Sequence, residues 1–148
     1  MTRPAATQSR TMNAVELFRA LGEFVEPMIL KTGDRLFNAN EPADGIYLIQ
    51  RGKVQLTYRN AAGVPITERL ARGGQILGLG PLFADRPWGA TGEVIASTRA
   101  GFVRKDAVLR FLDEHPEGRL AVLRLLSQDV DRCLELIRSS GPLMSKAS

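Results

Sequence analysis

Gly45-Ile46-Tyr47-Leu48-Ile49-Gln50-Arg51-Gly52-Lys53-Val54-Gln55-Leu56-Thr57-Tyr58-Arg59 carries two strand patterns in succession. Val54, Leu56 and Tyr58 alternate with Lys53, Gln55, Thr57 and Arg59, the period of a half-buried strand. Residues 46–49 are instead a continuous apolar run, which suits a strand covered on both faces. Asn60-Ala61-Ala62-Gly63 reads as a hairpin loop leading into another strand over 65–70. Further on, 94–96 and 101–104 read as two strands around a Ser97-Thr98-Arg99 turn. Glycines at 33, 45, 52, 63, 73, 74, 78, 80, 89, 92 and 101 punctuate the whole region. Seven or eight short strands at this spacing predict an all-β sandwich or barrel over about 24–104.

The flanks read as helical. Residues 1–12 are small, polar and unpatterned, and are expected to form a disordered tail. Asn13 followed by Glu16 has the spacing of a capping box, and opens a short helix whose apolar face is Val15, Leu17, Phe18 and Leu21. Gly22 ends it. Beyond the strands, Asp106 is placed to cap a helix over 106–113 that presents Val108, Phe111 and Leu112. His115-Pro116 breaks it. Residues 117–138 then form one long helix, with Glu117 and Arg138 favourably placed for its dipole. Ser139-Ser140-Gly141-Pro142 is expected to stop it and leave 139–148 disordered. The folded domain is therefore 13–138.

On the long helix Leu123, Leu126, Val130, Cys133 and Ile137 are spaced 3, 4, 3, 4, an a/d seam. Leu120, Leu125, Leu134 and Leu136 widen the apolar surface beyond it. One face can pack on the strands while the other meets a second copy, so a homodimer through this helix is expected.

Composition narrows the function. The hydrophobic fraction is 44% and the net charge +4, with the basic residues dispersed rather than in blocks. That pattern is a solvated surface and not a nucleic-acid arm. A single cysteine, Cys133, leaves no internal disulfide and no four-cysteine site, and a single histidine, His115, leaves no multi-histidine metal site. No metal and no catalytic residue is assigned, and no enzymatic activity is expected: a metal cupin, the enzyme that a β-roll most readily suggests, needs several histidines. There is no signal peptide and no apolar run of about 18 residues, so no membrane association and a cytoplasmic location are expected. Nothing reads as a recognition helix, and direct specific DNA binding by this chain is not expected.

The functional stretch is Gly73-Gly74-Gln75-Ile76-Leu77-Gly78-Leu79-Gly80-Pro81-Leu82-Phe83-Ala84-Asp85-Arg86-Pro87-Trp88-Gly89-Ala90-Thr91. Glycines beside a short helix let backbone N–H groups approach an anion. Here the candidate ligand-binding residues are Gly78, Leu79, Gly80, Arg86, Gly89, Ala90 and Thr91. Trp88 either caps the open edge of the roll or stacks on a ligand, and the Thr91 hydroxyl faces either the pocket or solvent.

Taken together, Gly33-Asp34-Arg35-Leu36-Phe37, Glu41-Pro42-Ala43-Asp44-Gly45-Ile46-Tyr47-Leu48-Ile49 and Gly52-Lys53-Val54-Gln55-Leu56 resemble the β-roll of cyclic-nucleotide-binding domains. The similarity is greatest to the sensor domains of the catabolite-activator/FNR superfamily of bacterial regulators. Gly74-Gln75-Ile76-Leu77-Gly78 resembles the entry to that family's phosphate-binding cassette, and the segments after Arg104 resemble its first helix and its dimerisation helix. The resemblance spans roughly 20–141. It implies a mainly β fold with flanking helices: a jelly-roll-like β-roll followed by a long dimerisation helix.

The same resemblance marks departures. Nucleotide-binding members place a Glu after the cassette glycine, for the ribose hydroxyl; here that position is Leu79. They place an Arg, for the cyclic phosphate, where this chain has Gly89, followed by Ala90 and Thr91. Losing two charged hydrogen-bonding groups, at about 1.5–3 kcal/mol each, turns micromolar affinity into millimolar or worse. The expectation is a non-enzymatic sensor or regulatory domain with a degenerate cassette and no cofactor, acting as a dimer. The alternative is a working regulator, linked to transcription control, that binds a cyclic nucleotide or another small effector and uses Arg86 with the backbone amides of Leu79 and Gly80 for the phosphate. The full-length regulators carry a winged helix-turn-helix after the long helix. With seven residues following Gly141, this chain is read as a sensor without that output domain.

Overall fold

The structure, a computed structural model, describes residues 12–147, with side chains described as far as Asp131. The tail expected over 1–12 lies outside the described residues, Met12 apart. The described chain begins with helix α1 (Ala14–Leu21) and continues, after a 3-10 turn, into β1 (Glu26–Leu30), β2 (Arg35–Phe37), β3 (Gly45–Arg59), β4 (Pro65–Arg72) and β5 (Ile76–Leu77). The short helix α2 (Leu79–Ala84) leads into β6 (Ala90–Arg104), and α3 (Lys105–Glu114) and α4 (Pro116–Ala147) follow. All strand pairings are antiparallel, in the order β1-β6-β3-β4, with β2 added to β6 and β5 to β3. This is the mainly β roll with flanking helices.

β3 and β6 are the spine, paired from Gly45–Arg104 to Tyr58–Ala90. Each is a single 15-residue strand, so the expected seven or eight short strands become six, two of them long. The turn expected at Ser97-Thr98-Arg99 is not made. Thr98 is buried instead, and its hydroxyl donates to the Ala96 carbonyl at 2.7 Å and accepts from the Lys53 N–H at 3.2 Å. The side chain satisfies the backbone where the register shifts, so the strand passes through the irregularity without breaking. Gly52 permits it from the other side: its φ is +113°, and a Cβ there would collide with the Thr98 hydroxyl.

Two apolar clusters explain the continuous run in β3. Ile46 and Leu48 face a cluster built with α1, α3 and α4, including Leu17, Leu21, Val103, Phe111 and Val122. Ile49, Val54 and Leu56 face the inside of the roll, with Phe37, Leu77, Trp88 and Val94. Each fully buried aliphatic side chain of this kind stabilises by about 1.5–3 kcal/mol.

The helix ends hold smaller corrections. The capping box of α1 forms in both directions, Glu16 N–H to Asn13 Oδ1 at 2.8 Å and Asn13 N–H to Glu16 Oε1 at 3.0 Å. Val15, expected on the buried face, is exposed, because the core is reached by the 17/21 stripe. Arg104, not Asp106, holds the N-cap of α3, since β6 runs directly into it and leaves Asp106 in the first turn. α4 starts at Pro116, whose fixed φ and missing N–H suit a first helical position. Nor does it stop at 138 as expected: the helical backbone runs on through Gly141 and Pro142 to Ala147. Leu143, Met144, Lys146 and Ala147 are all good helix formers and carry the helix past the two weak positions.

Candidate effector cleft

β5 ends at Leu77, and the chain then turns on Gly78, φ +108°, into α2. Asp85 closes α2 in the left-handed region, with φ +55°. The Arg86 N–H donates to the Pro81 carbonyl at 3.0 Å. The return strand is fixed at Trp88, whose N–H donates to the Glu41 carbonyl at 2.9 Å and whose carbonyl accepts from the Asn40 N–H at 2.8 Å. The cassette is thus fastened to the loop between β2 and β3 by backbone bonds.

An aromatic wall backs it. The Trp88 indole stacks on Phe37, with centroids 3.7 Å apart and planes 10° from parallel. Tyr47 stands beside both rings, at 5.7 and 5.9 Å, and Phe102 completes the group 5.0 Å from Tyr47. The Tyr47 hydroxyl donates to the Leu36 carbonyl at 3.0 Å. Burial first, and then the carboxylates of Glu41 and Asp44, push the Tyr47 phenol above its ordinary pKa.

Between this wall, the cassette and α4 lies a cleft of about 280 Å³, near the lower end of small-molecule sites. Of the residues singled out from sequence, Gly78, Leu79, Gly80, Gly89 and Ala90 line it. Arg86 does not: it is exposed at the end of α2 and away from the lining. Thr91 does not either, because its hydroxyl accepts from the Ala39 N–H at 3.1 Å and so faces the neighbouring loop. Leu79 lines the cleft while packing into the helix-side core with Leu82. Trp88 is part of the lining and is 6% exposed.

Sequence reasoning missed most of the polar part of the lining: Tyr58, Arg69, Gln128 and Asp129, with Gln75 inside the functional stretch but not among its candidate residues. Arg69 is the instructive case. It pairs in register with Leu56, and Ala71, two residues on, pairs with Val54. Both partners belong to the interior of the roll, so Arg69 occupies an inward-facing position of β4, half-buried. The apolar Ile66 of the same strand is 64% exposed. The alternation of β4 is therefore inverted, with an isoleucine outside and an arginine inside. That inversion was the available signal, once the register of the hairpin was known.

α4 presents two different faces. Ala121 and Val122 are buried against the roll, and Leu125 and Leu126 pack on the same core. Leu123 and Val130 are 61% and 57% exposed, and Leu120 is also exposed. Leu126 of the expected seam thus spends part of its surface on its own domain. The side chains of Cys133 and Ile137 lie outside the described residues. No helix of the described residues is long and apolar enough to cross a membrane.

Comparison with known proteins agrees with this architecture. The family model described as the cyclic nucleotide-binding domain matches residues 27–115. The global nitrogen regulator of Synechocystis is 30% identical over 129 residues, which cover 84% of this chain and 56% of that protein. The catabolite activator protein of Thermus thermophilus superposes with a TM-score of 0.74 at 20% identity, over 84% of this chain and 59% of the other. The sensor domain of the transcriptional regulator DNR from Pseudomonas aeruginosa gives a TM-score of 0.64 at 22% identity, over 78% of this chain and 77% of the domain. The chain thus spans little more than half the length of the nitrogen regulator and of the catabolite activator.

Proposed function

Because this chain belongs to the cyclic nucleotide-binding domain family, as a regulatory domain of the catabolite-activator/FNR type, we propose that it is a non-enzymatic sensor whose cleft no longer holds a cyclic nucleotide in the family manner. The observation that carries this reading is at Gly89. It lines the cleft where the resemblance puts the phosphate-binding arginine, and it offers no side chain. Leu79, at the ribose position, is committed to the apolar core and cannot accept a hydrogen bond. The alternative clamp, Arg86, lies outside the lining, which supports this reading over one that relies on Arg86 for the phosphate.

Titration calorimetry of the full chain with cyclic AMP and cyclic GMP tests the reading. Dissociation constants of about a millimolar or weaker are expected once the two charged contacts are gone. Micromolar binding of either nucleotide overturns it.

We also propose that the domain signals as a homodimer through α4. The outward-facing Leu123 and Val130, with Leu120, support this, since one helix presents them on the side away from its own core.

A further inference from the structure

The cleft has apolar walls and a single cationic group among its described lining residues, and that cation comes from β4 and not from the cassette. Arg69 enters from β4, opposite the core residue Leu56. Its guanidinium takes part in none of the ion pairs or side-chain hydrogen bonds given for the described residues. A half-buried arginine at an inward-facing strand position, among leucines, is expensive unless something pairs with its guanidinium. The lining carries an aliphatic side, Leu56, Leu77, Leu79 and Leu125, beside the aromatic Phe37, Tyr58 and Trp88.

We propose that the cleft binds a small monocarboxylic acid with an aliphatic body, held by a fork of two N–H donors from Arg69, with its chain against the leucine wall. This rests on the reading of the cleft as one without a cyclic-nucleotide anchor. A carboxylate matches the planar donor fork of arginine, and one guanidinium neutralises one negative charge. The chain's one tryptophan, Trp88, lines the same cleft, so binding has a built-in reporter.

The experiment follows Trp88 emission of the full chain on titration with octanoate, with calorimetry in parallel. Octanamide, inorganic phosphate and cyclic AMP are the comparison arms. Octanoate is expected to give a saturable change, at least tenfold tighter than octanamide, which keeps the chain but not the charge. Phosphate, which keeps the charge but not the chain, is expected to give none. Arg69→Gln is expected to weaken octanoate binding at least tenfold, and Arg69→Lys, which keeps the charge but not the planar fork, to fall between it and the parent; at this half-buried position both are expected to stay folded by circular dichroism. The proposal is overturned if octanoate gives neither heat nor an emission change, if octanamide binds equally well, or if Arg69→Gln binds like the parent. Tight binding of cyclic AMP overturns the earlier reading of the cassette instead, so the two failures are told apart.

Discussion

The indole of Trp88 occupies the space in which a side chain at Gly78 would begin: a Cβ there would stand 2.6 Å from the Trp88 Cη2. Gly78 also has φ +108°, a conformation that L side chains rarely adopt. The two ends of the cassette are thereby locked to each other.

Gly78→Ala is expected to destabilise the chain by about 1–3 kcal/mol, through left-handed strain together with displacement of the ring. Thermal unfolding measures the loss. The emission of Trp88, now nearly sealed from water, is expected to shift to the red. An alanine variant with the parent's melting temperature and emission would show that the lock does not exist.

Gly89 has the opposite character: no atom lies within 4 Å of where its Cβ would stand. Gly89→Arg is therefore expected to be accepted without loss of stability and to tighten cyclic AMP binding about tenfold to a hundredfold, the worth of one charged hydrogen-bonding group. Adding Leu79→Glu is expected to strengthen binding further while lowering the melting temperature, because Leu79 is 5% exposed and packs in the core. Calorimetry and thermal unfolding read the two effects. Unchanged affinity in both variants would mean that the cassette backbone has departed from the family geometry.

Val130, 57% exposed, lies at the middle of the seam expected over 123–137. In a two-fold dimer it meets its own copy, so Val130→Glu sets two carboxylates against each other in an apolar contact. Light scattering is expected to show a dimeric parent and a monomeric variant, with unchanged circular dichroism. A monomeric parent refutes the dimer, and an equally tight variant dimer moves the interface elsewhere.

Tyr47 gives the molecule an alkaline limit. Its phenol ionises at higher pH in the folded chain than in the unfolded chain, where its pKa is about 10. Below that value both states keep the proton and Tyr47 contributes no pH dependence. Above it the unfolded state releases protons first, so stability falls as pH rises through the folded value. Urea titrations between pH 9 and 11 are expected to show a steeper loss in the parent than in Tyr47→Phe. Parallel curves would remove Tyr47 as the cause.

Much of the roll was legible because its signals are local. The alternation of Val54, Leu56 and Tyr58, the capping box of Asn13 and Glu16, and the Pro116 boundary all depend on near neighbours. The fusion of 94–96 with 101–104 was not legible: Ser97-Thr98-Arg99 has turn composition, and what keeps it extended is the contact of Thr98 with Lys53 across the sheet. Within the cleft, the glycines were legible as backbone positions. The inward setting of Arg69 was not, because alternation along 65–72 suggests two registers and the pairing of Leu56 with Arg69 selects one. Arg86 was misplaced for a related reason: three residues from Gly89 in sequence, it is carried off the lining by the end of α2.

The full-length pairing of β3 with β6 also imposes a timetable on the chain. Tyr58 and Ala90 are the partners nearest in sequence, and Gly45 and Arg104 the most distant. Loop closure is least costly for the nearest pair, and each added pair then shortens the next search, so the ladder zips from the cassette end towards the helices. Such non-local pairing belongs with domains that fold in about milliseconds to seconds. In stopped-flow refolding, Trp88 emission is expected to recover before the α4 helical signal is complete, and simultaneous recovery would reverse or merge the order. The half of the molecule that holds the cleft is on this account born before the half that carries the outward face of α4.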